Sequence, residues 1–374
     1  MSIKHEKMKV LFCTPYTRFD CGIAQWARHL IGYHKEHNDD LEWDIISLDR
    51  KTDYVEGMSS FFRAYRGIVE YWPIIRQFWK CIRQSKYDVV HVCTSAGFGI
   101  FPCYLMLKMA KASGIPSVVH FHFGRMPMLM EEGGWEATMC LKVCKVATIS
   151  IPIDMASYNA LLKKGISNAV YLPNPMSPEV NDVIKANPNI TRKKNQLLFV
   201  GHMFVSKGIY ELVKAVKLVP EVTLRMIGAY EPSVRQTLEG LIGDDKERIE
   251  IAGTMSHADV IKEMLACDIF VLPTYSEGFP GVILESMGCG CPIIASGVGA
   301  IPQMLETDEK GDYGIIIRPK NVDDIINGIK TFVGSDSYKE ECGKNAQKRV
   351  NELYSVDVVW NKLKKIWITT SSIS

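Results

Sequence analysis

Short apolar segments alternate with amphipathic segments along most of the chain, a pattern that predicts strands alternating with helices. In the first half the predicted strands are Val10–Thr14, Asp88–Cys93, Ser117–Phe121 and Val146–Ser150. An amphipathic helix is predicted over Ile23–His34, and another is predicted to begin at Ser150, with Pro152 in its first turn. Near-continuous apolar strands separated by helices are typical of a parallel sheet that helices cover on both faces.

The alternation stops at Pro173–Lys194, which is rich in Pro, Asn and charge, and then starts again. The second set of predicted strands is Gln196–Val200, Thr223–Gly228, Ile249–Ala252, Ile269–Pro273 and Pro292–Ala295. A chain of 374 residues is also long enough for two hydrophobic cores. The sequence therefore predicts an α/β protein with two Rossmann-like domains, 1–176 and 196–355, a linker over 177–195, and an amphipathic helix within 356–374. Two such domains imply an interdomain cleft at the carboxyl ends of both sheets.

Composition narrows the class of protein without identifying it. Hydrophobic residues make up 47% and charged residues 23% of the chain, and the net charge of +2 gives no reason to expect a nucleic-acid partner. We find no apolar run of about 18 residues and no signal-peptide pattern, so a cytoplasmic protein is expected. The 11 cysteines lack the paired spacing of a zinc site, and we expect reduced, mostly buried thiols.

The segment with the strongest chemical signal is Pro273–Pro292, PTYSEGFPGVILESMGCGCP. It predicts the end of a strand, then a glycine-containing loop, then a helix with Pro280 in its first turn. The amides of Gly281, Val282 and Ile283 would then point outward at the positive end of the helix, where a diphosphate binds well. Glu277 precedes this group of amides and Glu285 lies eight positions later, and beside an anion site their carboxylates would accept hydrogen bonds from hydroxyl groups.

This segment resembles the E-x7-E signature of the large retaining glycosyltransferase family with the GT-B fold, the glycosyl transferases group 1 (GT4). The resemblance implies that Glu277 contacts the hydroxyls of the donor sugar and Glu285 the ribose. It also implies that the loop at Gly278, Phe279, Gly281 and Val282 meets the sugar and the diphosphate.

A second match is Gly201–Gly208, GHMFVSKG, which is similar to the G-R-L-x-x-x-K-G loop of the family. There the Arg and the Lys neutralise the donor diphosphate, which assigns Lys207 to that role. His202 replaces the Arg, and a histidine offers neither the bidentate fork nor the permanent charge of a guanidinium.

The resemblance is weaker in the first half. His122 occupies the place where family members have a histidine facing the donor sugar, and His120 lies two residues earlier on the same strand face. Gly22 stands in the first loop, where the family usually has two glycines that bring the backbone close to the donor phosphate or the acceptor. We expect Gly22 to supply the positive φ that such a loop needs.

Taken together, the resemblance implies transfer of a sugar from a nucleotide-diphosphate sugar to a glycan or lipid-linked acceptor, with retained configuration and with neither a metal nor a cofactor. The N-terminal domain would bind the acceptor, the C-terminal domain would bind the donor, and the final helix would cross back to the first domain. His122, Glu277 and Lys207 are the candidate catalytic residues. Two alternatives stay open: a non-catalytic sugar-nucleotide or glycan-binding subunit on this fold, and a glycan phosphorylase with lysine-linked pyridoxal phosphate.

One further segment, residues 61–86, has six basic residues and one acidic residue. Arg76, Lys80 and Arg83 fall on one helical stripe among Phe78 and Trp79. The stripe predicts either contact with an anionic membrane surface, as a peripheral protein, or an ordinary solvated helix face.

Overall fold

The computed structural model describes residues 7–17, 22–37, 41–49 and 60–373, and for 60–68 it describes the backbone alone. The chain forms two compact units. One contains Met1–Asn174 together with Val359–Ser374, and the other contains Pro175–Val358. Each unit is built around its own parallel sheet, the architecture expected from the alternating pattern.

The N-terminal sheet has five parallel strands in the order β2-β1-β3-β4-β5. The strands are β1 Met8–Thr14, β2 Leu41–Ser47, β3 Val89–Thr94, β4 Ser117–Phe121 and β5 Ile149–Pro152. The helices of this domain are α1 Gly22–His37, α2 Ser60–Gln84, α3 Ile100–Ala112, α4 Met126–Glu132, α5 Gly134–Val146 and α6 Met155–Lys163. Every residue of β3, β4 and β5 is buried, which is why these strands are apolar almost throughout.

The two faces of this sheet differ in chemistry. Leu11, Val90 and Val119 belong to an aliphatic cluster that packs against α3 and α5. The opposite face has aromatic and imidazole rings, because Phe12 is in register with His91, and Cys93 with His120. Side chains alternate between faces along a strand, so a single sequence can present both surfaces.

The last helix, α15 Val356–Ser371, belongs from Val359 onward to the N-terminal unit. Trp360 and Trp367 on this helix are almost fully buried. The indole N–H of Trp367 donates a 2.9 Å hydrogen bond to Nδ1 of His91 on β3. The aromatic face of the first sheet is therefore closed by the end of the chain.

One local prediction is wrong. No helix begins at Ser150, because Ile149–Pro152 is a strand and the next helix, α6, begins at Met155. Asp154 caps α6 by accepting a 2.7 Å hydrogen bond from the amide of Ser157. Ser150, with its side chain buried in the sheet, is not placed to cap a helix.

The predicted linker is also only partly irregular. Within 177–195 the chain forms α7 Glu179–Ala186, whose Val180 and Val183 are buried against the C-terminal unit. The spacing of these two valines is helical, but one turn of apolar periodicity was too short to predict a helix.

The C-terminal sheet has six parallel strands in the order β11-β10-β9-β6-β7-β8. The strands are β6 Gln196–Val200, β7 Thr223–Ile227, β8 Ile249–Gly253, β9 Ile269–Leu272, β10 Ile293–Ser296 and β11 Ile315–Ile317. The remaining helices are α8 Ile209–Lys217, α9 Pro232–Ile242, α10 His257–Ala266, α11 Gly281–Gly288, α12 Ile301–Leu305, α13 Val322–Gly334 and α14 Asp336–Tyr354. No helix in the described part of the chain is long and apolar enough to span a membrane.

Candidate active site

The C-terminal sheet has a topological switch point between β6 and β9. From β6 the chain builds outward through β7 and β8, and then returns to place β9 on the other side of β6. The loops that leave β6 and β9 therefore diverge at the carboxyl edge, where open α/β sheets bind their ligands. These are the loops that contain the two strongest sequence matches.

Close backbone contacts hold the loops of this edge together. Gly208 adopts φ +70, and a Cβ there would lie 2.0 Å from the carbonyl oxygen of Pro273. A Cβ on Gly299, after β10, would lie 2.1 Å from the carbonyl oxygen of Glu277. The amide of Tyr275 also donates a 2.8 Å hydrogen bond to the carbonyl of Ser206. Glycine is required at both positions, because a side chain would separate the loops.

Lys207 and Glu277 form an ion pair across the two loops, Nζ to Oε1. Their side chains are 24% and 13% exposed, so the pair is shielded from water on most sides. A lysine next to a carboxylate offers a cation to an anionic ligand and an acceptor to a hydroxyl group within one small region. The sequence analysis assigned these roles to the two residues separately, and the structure shows that they are in contact.

Helix α11 begins beside this pair. Pro280 is its N-cap rather than part of its first turn, and the amide of Ile283 donates to the Pro280 carbonyl at 3.2 Å. Of the three amides that were predicted to face outward, only those of Gly281 and Val282 therefore remain available to a ligand. Gly281 is exposed, and a Cβ built on it would meet no atom within 4 Å. No contact among the described residues requires glycine at this position, whereas a side chain there would hinder a ligand that approaches the amides.

The residues between Glu277 and the helix serve the loop itself. The carbonyl of Gly278 accepts a 2.9 Å hydrogen bond from the amide of Ala300. Phe279 is 9% exposed and its ring lies 6.0 Å from that of Tyr354, centroid to centroid. Phe279 can thus offer a ligand its backbone but little of its ring.

Glu285, one turn into α11, is hydrogen-bonded to a residue that the sequence analysis did not single out. Nε2 of His257, the first residue of α10, lies 2.9 Å from Oε1 of Glu285. Nδ1 of the same ring lies 2.5 Å from Oε2 of Glu179 on α7. The hydrogen bond to Glu285, together with the two negative charges, raises the pKa of His257 to about 9, so the ring is a cation at neutral pH.

His202, the residue in the place of the family arginine, is exposed, and its ring stacks on Phe204 with centroids 5.6 Å apart. A histidine in place of the family arginine therefore changes the surface of the loop and not its packing.

At the carboxyl end of β4, His122 lies in a group of rings. Its ring is 4.0 Å from that of His120 and 4.5 Å from that of Trp26, centroid to centroid. Nε2 of His122 is enclosed without a hydrogen-bond partner among the described residues, and burial lowers the pKa of this histidine to about 3. His122 is therefore an uncharged ring with an unsatisfied nitrogen.

Three residues on this face, His91, Cys93 and His120, have ligand atoms within 4.8 Å of one another. Such residues hold zinc in other proteins. In this case, however, Trp367 donates to Nδ1 of His91, so the proton of that neutral ring is on Nε2, which cannot then bind a metal. The hydrogen-bonding pattern thus disfavours a metal site here.

Gly22 differs from its prediction. It is the first residue of α1, its φ is not positive, and a Cβ there would meet no atom within 4 Å. The preceding residues 18–21 lie outside the described part of the chain. Neither strain nor packing within the described residues requires glycine at this position.

Comparison with known proteins finds a family match in the C-terminal domain. Residues 180–349 match the family described as glycosyl transferases group 1. The match lies within the C-terminal domain, which is therefore similar to the glycosyl transferases group 1. The match covers both loops, the Lys207–Glu277 pair and α11.

The curated relatives differ in name. Sulfoquinovosyl transferase SQD2 of Arabidopsis thaliana is 23% identical over 77% of this chain and 60% of its own length. Alpha-D-kanosaminyltransferase of Streptomyces kanamyceticus is 24% identical over 82% of this chain and 85% of its own. For the first five curated relatives, the aligned part spans between 41% and 60% of the relative.

Solved structures share the fold of nearly the whole chain. The Anabaena protein Alr3699/HepE in complex with UDP has a TM-score of 0.72 at 16% identity, and the match covers 97% of this chain and all of that one. The lipopolysaccharide outer core galactosyltransferase WaaB has a TM-score of 0.68 at 16% identity. The two parallel-sheet domains are thus those of the GT-B fold, as predicted.

Proposed function

We propose that this chain is a retaining glycosyltransferase that takes a sugar from a UDP- or GDP-sugar. The observation that carries the proposal is the contact between Lys207 and Glu277 beside the free amides at the start of α11. A cation, two amides and a carboxylate in one small region are groups that a diphosphate with an attached sugar could bind, which supports the proposal.

In the proposed reaction, negative charge grows on the leaving diphosphate as the bond to the sugar breaks. Lys207 and the amides of Gly281 and Val282 would stabilise that charge, and they need little reorganisation because the fold already holds them. Glu277 would orient the sugar through its hydroxyls and Glu285 would hold the ribose. His122 would lie against the sugar near its reacting carbon, and its ring would stay uncharged during the reaction.

We propose that the diphosphate needs no divalent ion at this edge. The counter-charge comes from Lys207 and from the positive end of α11. The carboxylate of Glu277, which lies beside this edge, is already paired with the lysine. Metal-free activity would then be expected in the presence of a chelator.

A surface glycan is the acceptor class that we propose, and its lipid-linked form would keep the enzyme on the inner face of a membrane. Among the relatives are a capsular polysaccharide biosynthesis glycosyltransferase, CapM of Staphylococcus aureus, and an O-antigen chain mannosyltransferase of Escherichia coli. These names support an acceptor of this class for the present chain.

The exposed face of α2 supports the membrane partner. Phe78 points inward and is fully buried, whereas Trp72 and Trp79 are 57% and 49% exposed. Arg76, Lys80 and Arg83 are exposed too, and the guanidinium of Arg83 lies 4.6 Å from the centre of the Trp79 ring. Their spacing puts the two tryptophans and three cations on one side of the helix, which suits the interface of an anionic bilayer.

A second exposed aromatic cluster includes Phe101 of α3, a helix that packs against α2. The rings of Phe98, Phe101 and Trp135 are nearly parallel, with centroids 5.4 to 6.5 Å apart, and each is about half exposed. Exposed aromatic clusters of this kind mark interaction surfaces more often than chance. We assign it to the same membrane contact.

Co-sedimentation with liposomes tests the membrane contact. We expect binding that needs anionic lipid and weakens as salt rises, since each cation near the surface contributes about 1 kcal/mol. Changing Arg76, Lys80 and Arg83 to Ser should abolish it, whereas changing three exposed lysines of the C-terminal domain, Lys214, Lys344 and Lys348, should not. Binding that persists without α2's cations would contradict the assignment.

Release of sugar from a panel of UDP- and GDP-sugars tests the proposed function itself. A competent transferase leaks some donor to water, and the leak should persist in EDTA. If the chain is instead a non-catalytic binding subunit, the nucleotide sugar should bind without release of sugar. If it is a phosphorylase, the protein should show an absorbance band from pyridoxal phosphate, and its turnover should depend on phosphate.

A further inference from the structure

The hydrogen-bonded chain Glu179–His257–Glu285 joins three helices that are far apart in the sequence. His257 is at the start of α10, Glu179 at the start of α7 and Glu285 within α11. Both ring nitrogens of His257 are engaged, at 2.5 Å from one carboxylate and 2.9 Å from the other. A ring held from both sides has a fixed position and orientation.

Without the hydrogen bond to His257, the carboxylate of Glu285 would be free to rotate. The Glu285 side chain is 17% exposed, and the contact with His257 uses only Oε1. The second oxygen, Oε2, is left to accept hydrogen bonds from a ligand. A carboxylate fixed through one oxygen presents the other in a single direction, which lowers the entropy that a ligand must overcome to bind it.

We propose that His257 is a positioning residue, which Glu179 anchors and which aims the Glu285 carboxylate at the ribose hydroxyls of the nucleotide. This inference rests on the proposed function, because it takes the ribose as the ligand of Glu285. It adds two residues, Glu179 and His257, that lie outside the family signature of the loop and helix.

The charges around His257 give the proposal a pH signature. Of the elements that pack closely against α10, α7 contributes Glu179 and α11 contributes Glu285, while β6 has no titratable residue. The pKa of His257 is raised to about 9, so its ion pairs are complete at neutral pH and are lost as the pH rises through that value. Nucleotide affinity should therefore weaken between about pH 8 and pH 10.

Calorimetric titration of the full chain with free UDP and GDP measures this directly. His257→Gln should weaken binding about tenfold at pH 7.5, and Glu179→Gln about threefold, because the second change removes only the anchor. Each variant has a matched control on its own helix. Lys262→Gln removes a positive charge from α10, and Asp182→Asn removes a carboxylate from α7, and both residues are exposed.

The pH profile separates positioning from a merely structural role. Wild type should lose affinity with rising pH, whereas His257→Gln, measured on folded protein, should bind weakly at every pH. A variant that melts earlier but binds nucleotide normally would overturn the inference.

The failure of this inference is distinguishable from failure of the proposed function. If Glu285→Gln itself leaves nucleotide affinity unchanged, the assignment of the ribose to Glu285 is wrong. If Glu285→Gln weakens binding but His257→Gln matches the Lys262→Gln control, only the positioning role is wrong.

Discussion

The carboxyl edges of the two sheets present opposite chemistry. At the C-terminal edge the candidate side chains are charged and paired, Lys207 with Glu277 and His257 with Glu285. At the N-terminal edge His120 and His122 are uncharged rings whose buried nitrogens have no partner among the described residues. A paired, charged edge is suited to a diphosphate and a ribose. An uncharged edge is suited to a neutral sugar, whose hydroxyls could satisfy the buried nitrogens.

This difference predicts a division of labour: the C-terminal edge should set nucleotide affinity, and the N-terminal edge should affect turnover alone. The variants below test that division, from the largest expected effect to the smallest.

Replacing Lys207 with Ala should have the largest effect. It removes a charge that stabilises the leaving diphosphate and leaves Glu277 without its partner, so kcat/KM should fall on the order of 100- to 1,000-fold. Lys214→Ala, an exposed lysine one helix later, is the control and should behave like wild type. Steady-state kinetics and a nucleotide titration together would show whether both binding and turnover are lost; intact binding would mean that Lys207 does not meet the diphosphate.

His122→Ala should lower kcat about tenfold to a hundredfold while nucleotide affinity stays within about twofold of wild type. The reason is that a nucleotide without its sugar would not need this ring. Because the pKa of His122 is about 3, its protonation should not shape the pH–rate profile between pH 5 and 8. A loss of nucleotide affinity equal to the loss in kcat would break the proposed division between the edges.

Alanine variants of two glycines at the C-terminal edge should separate an effect on stability from an effect on ligand binding. Gly208→Ala adds a Cβ 2.0 Å from a backbone oxygen at φ +70, and should destabilise the domain by about 3 kcal/mol. Gly281→Ala has open space around it and should change stability by less than about 0.5 kcal/mol, but should weaken diphosphate binding. Melting temperatures and nucleotide titrations of the two variants would show this contrast, and equal behaviour would refute it.

His202→Arg should have the smallest effect. An arginine can replace the stacking of the ring on Phe204 and adds a permanent charge, so we expect a folded enzyme with nucleotide binding tightened about twofold to fivefold. Complete loss of activity in a folded variant would give His202 a role of its own and would show that the alignment of this loop is superficial.

Sequence patterns predicted most of the fold because buried parallel strands are apolar and short. The segments around Val92, Val119 and Phe270 are such strands, and each is a strand in the structure. The same patterns missed α7, which has only one buried turn, and misplaced the start of α6. A serine two residues before a proline resembles a helix start, and this local signal did not show that Ser150 and Pro152 belong to a buried strand.

The candidate site was predictable where its residues are close in sequence. Glu277, Gly281 and Glu285 lie within one loop and helix, and Lys207 within another. His257 and Glu179 were not predictable, since they are 28 and 106 residues from Glu285 and belong to no local motif. Only the order of the strands brings their helices together.

A structure of the full chain with bound UDP or GDP tests the central claim most directly. The account predicts the diphosphate against Lys207 and the amides of Gly281 and Val282, with the ribose hydroxyls on Oε2 of Glu285. Nucleotide bound anywhere else on the chain, with Lys207 still paired to Glu277 and no contact to α11, would contradict it.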